Sequence, residues 1–504
     1  MMFRWLSDYY PHYIQSGYHY QVMFTKIRVA TKQRKNYNNK DILKYAANCE
    51  VLAMRKDVNM LSGSIINGLL AIAIPVMIMN VITSLFNIVD MTVLKTFDTD
   101  GMAVGAVGVC GSLITLITNL VIGISTGANV ITAKYIGKQE QEHVNRAVGT
   151  AIAFSIAAGV ALAVIGVACA DLFLSWVNCP EELFSRATLY FRLYFAGVPI
   201  LMIHYFCCSA LRSSGNSQQI MTISIIGAAV KLLATYLFVA IFRMGITGVA
   251  VATIVSWVAY ATLSLLTLLR SSGIVKLYIQ HIRFYRPELP QILRVGIPSG
   301  LQMGLYSIAN VIISAAVNNF GSLASTGISI ANTFDGLLYN ICHAASLAVM
   351  PYVSQNIGAG NVKRAAKSVQ KGILVTVGLG AVFGALSAIF SPQLSSIMSD
   401  DPVVIGYSCQ KMIIISSTYF ICGINDIFSA ALRGMGKPTF PTVTTLIFMC
   451  GLRFVWVYLI FPLVPNLTFL YLVWPIGWVA SIACALFVYF PTKKKLAETH
   501  SLTG

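Results

Sequence analysis

The chain has 504 residues, 57% of them hydrophobic and only 11% charged, with a formal net charge of +17. Soluble domains carry roughly a quarter charged residues, so this composition excludes an ordinary soluble fold. The charges lie in short islands between apolar runs of roughly 20–28 residues, the length a helix needs to cross about 30 Å of hydrocarbon, whereas strands of a membrane barrel alternate over about 10 residues.

In chain order, residues 1–60 differ from the rest, being aromatic, polar and basic (TKQRKNYNNK), with no apolar stretch long enough for a signal peptide. They read either as a cytoplasmic tail or, preferably, as a segment ahead of a start at Met54. About 12 apolar runs follow, with approximate limits 65–94, 102–133, 147–170, 187–211, 218–242, 245–269, 291–317, 324–352, 369–390, 403–431, 438–462 and 467–490. A polar tail, 491–504, ends the chain.

The basic balance follows topology rather than nucleic acid. With the N-terminus inside, loops on that side hold about 28 of the 35 Lys and Arg and the opposite loops about 5, the asymmetry that orients membrane helices. Both ends are then cytoplasmic, in a multi-pass protein of the cell's inner (plasma) membrane. The 11 cysteines show no CxxC pattern and mostly sit in apolar runs as small hydrophobes, so neither a disulfide framework nor a zinc site is expected.

The apolar part repeats itself. Ile74-Pro75 in the first span returns as Ile297-Pro298, 223 positions on; Ile136-Gly137 returns as Ile357-Gly358 and LRSSG (211–215) as LRGMG (432–436), each 221 positions on. Six spans separate the copies, so the halves have the same orientation, a parallel repeat about an axis along the membrane normal. The expectation is an all-α integral membrane protein of about 12 transmembrane helices in two pseudo-symmetric six-helix lobes, 61–280 and 281–490, joined at HIRFYRPELPQ (281–291) as a hinge.

Two spans carry polar stripes at helical spacing: Asn80, Thr83, Ser84, Asn87 and Asp90 on the first, and Ser299, Gln302, Tyr306, Asn310 and Ser314 on the seventh. Asn87 and Asn310 are repeat equivalents. Such faces meet protein or water rather than lipid, as interhelical hydrogen bonds or as the lining of a cavity, and their presence in both halves favours the cavity. Ionisable groups at membrane depth are Asp90, Lys231, Asp335, Asp426 and Arg453, each costing about 2.5–3.5 kcal/mol at a helix centre. Asp90 either pairs with Lys231 or lies near the interface beside Lys95; Asp426 is either functional or structural; Arg453 is expected to pair with an aspartate of its own half. Lys231 and Arg453 are the clear intramembrane cations, and His204 and His343 stand alone.

Catalytic and nucleotide signatures are missing. GMGKPT (434–439) is no phosphate loop, because Ala431 replaces its first glycine and Pro438 its hydroxyl residue. Work against a gradient must then be driven by another gradient, which describes a secondary transporter and not an enzyme.

GSIINGLLAIAIPVMIMNVITSLFNIVDMTVL (63–94) resembles the opening span of the multidrug and toxic compound extrusion (MATE) family. GISTGANVITAKYIGKQ (123–139), GVAVAT (248–253), VSQNIGAGN (353–361) and LRGMGKPTFP (432–441) extend the resemblance from near Met60 to Phe490, and its feel is of the bacterial DinF-like branch. The resemblance implies export of organic, often cationic or aromatic, molecules by antiport against H⁺ or Na⁺, with a lipid-linked precursor flippase as the alternative. No cofactor beyond that ion is implied; the partners are a small organic substrate, the coupling cation and the lipid bilayer, without nucleic acid, for a monomer whose halves enclose the cavity. The family's first-span acid falls on Asp90 and a sixth-span threonine on Thr253. Its fifth-span Asn and Asp fall on Lys231 and Thr235, a departure from the pattern. A lysine there supplies the charge a coupling cation would bring, so coupling uses an Asp90–Lys231 pair or has moved to Asp335 and Asp426.

Overall fold

The computed structural model describes residues 58–97, 102–177 and 179–501. Nearly all of the 1–60 segment lies outside them, as do the side chains of Asn87 and Asp90, whose backbone is helical. Among the described residues no strand occurs, and twelve helices are long and apolar enough to cross a membrane. They are α1 (Ile65–Phe97), α2 (Met102–Gly137), α3 (Gln141–Ala168), α4 (Glu181–Ser213), α5 (Ser217–Ile241), α6 (Gly245–Leu269), α7 (Glu288–Asn318), α8 (Ser322–Gly358), α9 (Val362–Ile389), α10 (Pro402–Gly434), α11 (Thr439–Leu463) and α12 (Leu467–Thr499). Each expected apolar run has its helix. The helices outrun the apolar stretches at polar turns such as Gln141–Arg146 and Val362–Ser368, where the backbone stays helical until a cap ends it.

The repeat is written into the elements. α3 becomes α9 and α4 becomes α10 with both ends displaced by 221 positions, and the short helix Ala170–Trp176 recurs as Ser391–Ser396. α5 ends in a π-helical segment, Tyr236–Ile241, and α11 carries one at the corresponding place, Trp456–Ile460. The helix stops repeat as well. At the ends of α2, α4, α8 and α10 an amide bonds the carbonyl five residues back: Glu140 to Tyr135, Asn216 to Leu211, Asn361 to Asn356 and Lys437 to Leu432. This six-to-one closure needs a left-handed residue, supplied by Gly215, Gly360 and Gly436 but by Gln139, at φ 61°, in the fourth case. Asn216 and Asn361 then cap the next helix by accepting from the amides of Gln219 and Arg364.

The lobes meet along α2, α7, α8 and α1. A Cβ on Gly127 of α2 would lie 2.1 Å from the Ile292 carbonyl oxygen of α7, and one on Gly123 2.4 Å from Gly300 Cα, so backbones touch where any side chain would part them. Toward the charged loops the contact becomes reciprocal: Gly137 abuts the Gln355 carbonyl, and Gly358 abuts that of Lys134. These four residues are repeat mates, so the pseudo-two-fold axis passes between α2 and α8 here. Ser354 Oγ donates to the Val130 carbonyl at 2.6 Å and Gln355 Nε2 to the Ser213 carbonyl at 2.6 Å. Further along, Asn119 Nδ2 reaches Ser307 Oγ at 3.1 Å and Asn80 Nδ2 reaches the Asn340 carbonyl at 3.4 Å.

The connection expected as a hinge is docked. α7 begins at Glu288, and the preceding strap packs on the start of α3, with the His281 carbonyl against Gly149 and the Tyr285 amide donating to Thr150 Oγ1 at 3.3 Å.

A left-handed backbone costs a side-chain-bearing residue about 1–2 kcal/mol, part of which glycine's extra unfolded-state freedom offsets. Gln139→Gly is therefore expected to raise, and Gly360→Gln to lower, the thermal midpoint of the purified protein, each by the equivalent of about 1 kcal/mol. Opposite signs at the two equivalent sites, read in one fluorescence melting series, are the check.

Candidate ion and substrate site

The polar groups at membrane depth converge in the second lobe. Asp335 on α8 is 8% exposed and its Oδ2 lies 2.8 Å from Lys411 Nζ on α10, itself 3% exposed. Lys411 also donates to Asn332, three residues before Asp335 and on the same face of α8. Its ammonium stands 5.6 Å from the centroid of Trp474 on α12, and the Arg453 guanidinium of α11 stands 5.0 Å from the same ring. Arg453 Nη1 donates to Asn310 Oδ1 on α7 at 2.8 Å. Five helices of one lobe are thus joined by charge, hydrogen bond and cation–π contact, each partner lowering the cost of burying the next.

Arg453 sits on Leu452–Val455, a single α-helical turn between the π-helical segments Thr445–Gly451 and Trp456–Ile460. π turns widen the helix and rotate the residues beyond them, and such turns gather at functional sites.

A second centre lies one to two helical turns along α8. His343 Nδ1 is 2.8 Å from Asp426 Oδ2 of α10, with the two side chains 15% and 9% exposed. The His343 ring stacks on Tyr339 at 5.2 Å, and Ser346 Oγ lies 3.2 Å from the same nitrogen while donating to the His343 carbonyl. Beside it, Asn425 Nδ2 reaches Tyr306 Oη at 3.4 Å and Arg433 Nη2 donates to Gln302 Oε1 at 2.6 Å.

Several expectations change. Arg453 takes Asn310 and Trp474 instead of an aspartate, because Lys411 and His343 hold the two membrane-depth aspartates of its lobe, Asp335 and Asp426. Lys411 is a third cation at membrane depth, beyond Lys231 and Arg453, and His343 is paired. On the seventh-span stripe Gln302, Tyr306 and Asn310 are bonded by side chains of their own lobe, Ser299 bonds the Val295 carbonyl, and Ser314 is exposed. Asn332, Asp335, Tyr339, His343 and Ser346 form a stripe on α8 at the same three-and-four spacing, the signal by which the missed residues are legible.

The first lobe is plainer. Thr253 Oγ1 bonds the Val249 carbonyl of its own helix at 2.9 Å. Thr235 is buried at the last α-helical residue of α5 before its π segment, and Lys231 is half-buried one turn earlier. His204 Nδ1 meets Ser264 Oγ at 2.8 Å and Thr118 Oγ1 meets Tyr194 Oη at 3.0 Å.

Asp335 keeps one carboxylate oxygen buried without a hydrogen-bond partner, so its charge rests on Lys411. Lys411→Met alone is expected to destabilise the protein by about 3–5 kcal/mol, whereas adding Asp335→Asn recovers most of the loss. Thermal melting of the two single variants and the double variant measures that coupling, and additive losses would mean that the pair is not energetically linked.

The architecture has counterparts among known proteins. The MatE family model matches residues 75–237 and 298–459, one segment in each lobe. The probable multidrug resistance protein YoeA of Bacillus subtilis is 26% identical over 389 residues, covering 75% of this chain and 83% of that protein. The FAD transporter of Shewanella oneidensis is 24% identical over 402 residues, covering 78% and 87%. A solved structure described as the outward-facing conformation of a multidrug resistance MATE family transporter superposes with a TM-score of 0.79 at 19% identity, covering 88% of this chain and 98% of that one. The two matched segments open at the repeat-equivalent prolines Pro75 and Pro298 and together span more than half of the sequence, so the chain belongs to the MATE family of multi-pass membrane transporters, which are not enzymes.

Proposed function

We propose that this protein is a secondary antiporter of the cytoplasmic membrane, with both termini inside, that exports organic molecules as H⁺ flows inward through the second lobe. The observation that carries this reading is the buried His343–Asp426 pair, 2.8 Å apart. A carboxylate and an imidazole in contact can share, take up and release a proton, and an intramembrane acid is retained at a cost that transport repays. Asp335 is the poorer carrier, because Lys411 already neutralises it. A coupling Na⁺ would have to displace either cation from its aspartate, which favours H⁺. The site needs no cofactor beyond that ion, and one chain supplies both lobes, so it works as a monomer.

The repeat bears on Asp90 as well. Arg453 on the fifth span of its lobe reaches Asn310 on the first. Lys231 and Asn87 hold the equivalent places in the other lobe, 222 and 223 positions earlier. This supports Lys231 reaching the α1 face that carries Asn87 and Asp90, a fixed cation where the family pattern has an asparagine, and leaves proton uptake to Asp426.

Relatives named for drug resistance favour organic drugs or toxins, cationic or aromatic, over a lipid-linked precursor. A second reading, an anionic aromatic substrate, has its own observation. Lys411, Arg433 and Arg453 outnumber Asp335 and Asp426 in the second lobe's network, and one relative is named for an anionic flavin nucleotide.

The experiment uses cells stripped of their own efflux pumps, with ethidium as the cation and a flavin nucleotide in inverted vesicles as the anion. Ethidium efflux driven by an imposed pH gradient should fall at least tenfold in Asp426→Asn and persist in Asp335→Asn at matched expression, since a positioned proton-transfer group contributes roughly 10²–10⁴-fold. Undiminished efflux in Asp426→Asn together with loss in Asp90→Asn would move coupling to the first lobe. Transport indifferent to both H⁺ and Na⁺ gradients would refute antiport, and uptake of the flavin with no ethidium efflux would select the anionic reading.

A further inference from the structure

We infer that His143 and Glu288 form a latch that clamps the two lobes at the charged-loop end of the bundle and tightens as the pH on that side falls. The inference rests on the antiporter reading above, taken with access alternating as the two lobes move against each other, and adds to it a pair that the transport chemistry does not use.

His143 lies in the first turn of α3, in the first lobe, and Glu288 is the first residue of α7, in the second. His143 Nδ1 and Glu288 Oε1 are 2.9 Å apart. Their surroundings are unequal: the Glu288 side chain is fully enclosed, while that of His143 is 38% exposed. The imidazole keeps access to water, and the carboxylate that needs a partner is shut in. Glu288 Oε2 is buried and has no hydrogen-bond partner, so the carboxylate is held through its contact with His143. A buried carboxylate that loses its partner is strongly disfavoured, which makes the closed seam depend on this contact.

A second link holds the same turn. Tyr135, in the last turn of α2, stacks on the His143 ring at 5.0 Å with planes 20° apart, and its hydroxyl accepts from Gln291 Nε2 at 3.1 Å, one turn into α7. Ile292 next in line meets Gly127 backbone to backbone. The opening turn of α7 is therefore gripped by α2 and α3 at Glu288, Gln291 and Ile292, and the lobes cannot part at this end without breaking the His143 contact.

Several other charged groups lie near the pair. Glu140 is met by Lys138 at 3.4 Å and Glu142 by Arg146. Lys134 stands one residue before Tyr135, and Arg294 lies two turns into α7. From the strap against α3, His281 Nδ1 bonds Tyr285 Oη at 2.8 Å, and the guanidiniums of Arg146 and Arg283 stand 5.3 and 4.6 Å from the Tyr285 ring. Histidine changes charge across the physiological range. Protonated His143 makes an ion pair with Glu288; neutral His143, donating from Nδ1, keeps a hydrogen bond to the carboxylate but loses the opposing charge, so the latch is strongest in acid and weakens as pH rises. In an exporter that admits protons, acid on this side would then hold the seam shut and slow further proton entry.

Hydrogen exchange of the full chain in nanodiscs reads the seam directly, through peptides covering Val130 and Ser354. After correction for intrinsic rates, wild-type protection should fall as pH rises from about 5.5 to about 8, on either side of the ordinary histidine range. His143→Ala and Glu288→Gln should exchange about tenfold faster at the acid end, since a hydrogen bond to a charged group is worth roughly one such factor. His143→Lys, positive throughout, should keep the protection and lose its pH dependence, a result a packing role for the imidazole would not give. Wild-type pH dependence surviving in His143→Ala, or unaltered protection in both deletions, would overturn the latch. Alternating access is judged separately, by whether added ethidium or flavin nucleotide changes protection of the same peptides in wild type.

Discussion

The arrangement depends on the place where α2 and α8 touch across the pseudo-two-fold axis. Gly137 against the Gln355 carbonyl, and Gly358 against that of Lys134, make one contact used twice, each residue standing 221 positions from its mate. Because backbone faces backbone, neither side can shift to admit even a methyl group, and the seam has a single register. The contact also sits beside the helix stops at Glu140 and Asn361, so the turns that end α2 and α8 fix where the third span of each lobe begins. His143 of α3 is thereby delivered to Glu288, and Arg364 of α9 to the carbonyls of Met60, Ser62 and Gly63 ahead of α1. Both ends of the seam are closed by the same local geometry, with different chemistry hung on it.

That difference is the second theme. A duplicated lobe inherits the backbone twice, but its intramembrane charges need satisfying only where they are kept. In the second lobe the cost of Asp335, Asp426, Lys411, Arg433 and Arg453 is met by mutual pairing and by Asn310, Gln302, His343 and Trp474. The repeat mates of Asp335, His343, Lys411 and Asp426 in the first lobe are Ile114, Ile122, Tyr190 and Tyr205, which carry no charge to satisfy. Both lobes keep a cation at the end of the fourth span, Arg212 and Arg433, and on the fifth, Lys231 and Arg453, the latter pair next to the π segment that both also keep. Shared geometry with a shared charge marks an element both halves need, whereas the aspartates of the second lobe mark where the halves specialise.

Much of this was legible in the sequence, and for a physical reason. Crossing hydrocarbon demands about 20 apolar residues per helix, which is visible without tertiary information. Two of the three landmark pairs sit at helix stops that the structure shows to be equivalent, and the third, Pro75 and Pro298, lies inside α1 and α7 at the same distance from their starts. What was not legible is pairing. A lysine nine residues into α10 reads as an interfacial residue until α8 is placed beside it, and His343 reads as isolated until Asp426, 83 positions later, is brought to it. Arg453 misled in the other direction: an aspartate is the obvious partner for a buried arginine, yet an amide and an indole ring serve when the aspartates are spoken for. The seventh-span stripe shows the same limit, since spacing tells that Gln302, Tyr306 and Asn310 share a face but not that the lobe's own side chains occupy it.

On the proton-antiport reading proposed above, the two membrane-depth aspartates of the second lobe, Asp335 and Asp426, differ in how freely their charge can change. Asp335 is tied to Lys411, and through Trp474, Arg453 and Asn310 to five helices, so releasing it would disturb most of the lobe. Among the described residues Asp426 is paired with His343, which is not a fixed charge, and Tyr339 and Ser346 stand beside the imidazole. A transport cycle must change charge at one point and hold shape at the rest. The pair with the fewest dependents is where such a change costs least, and the pair with the most is what keeps the lobe rigid while it happens.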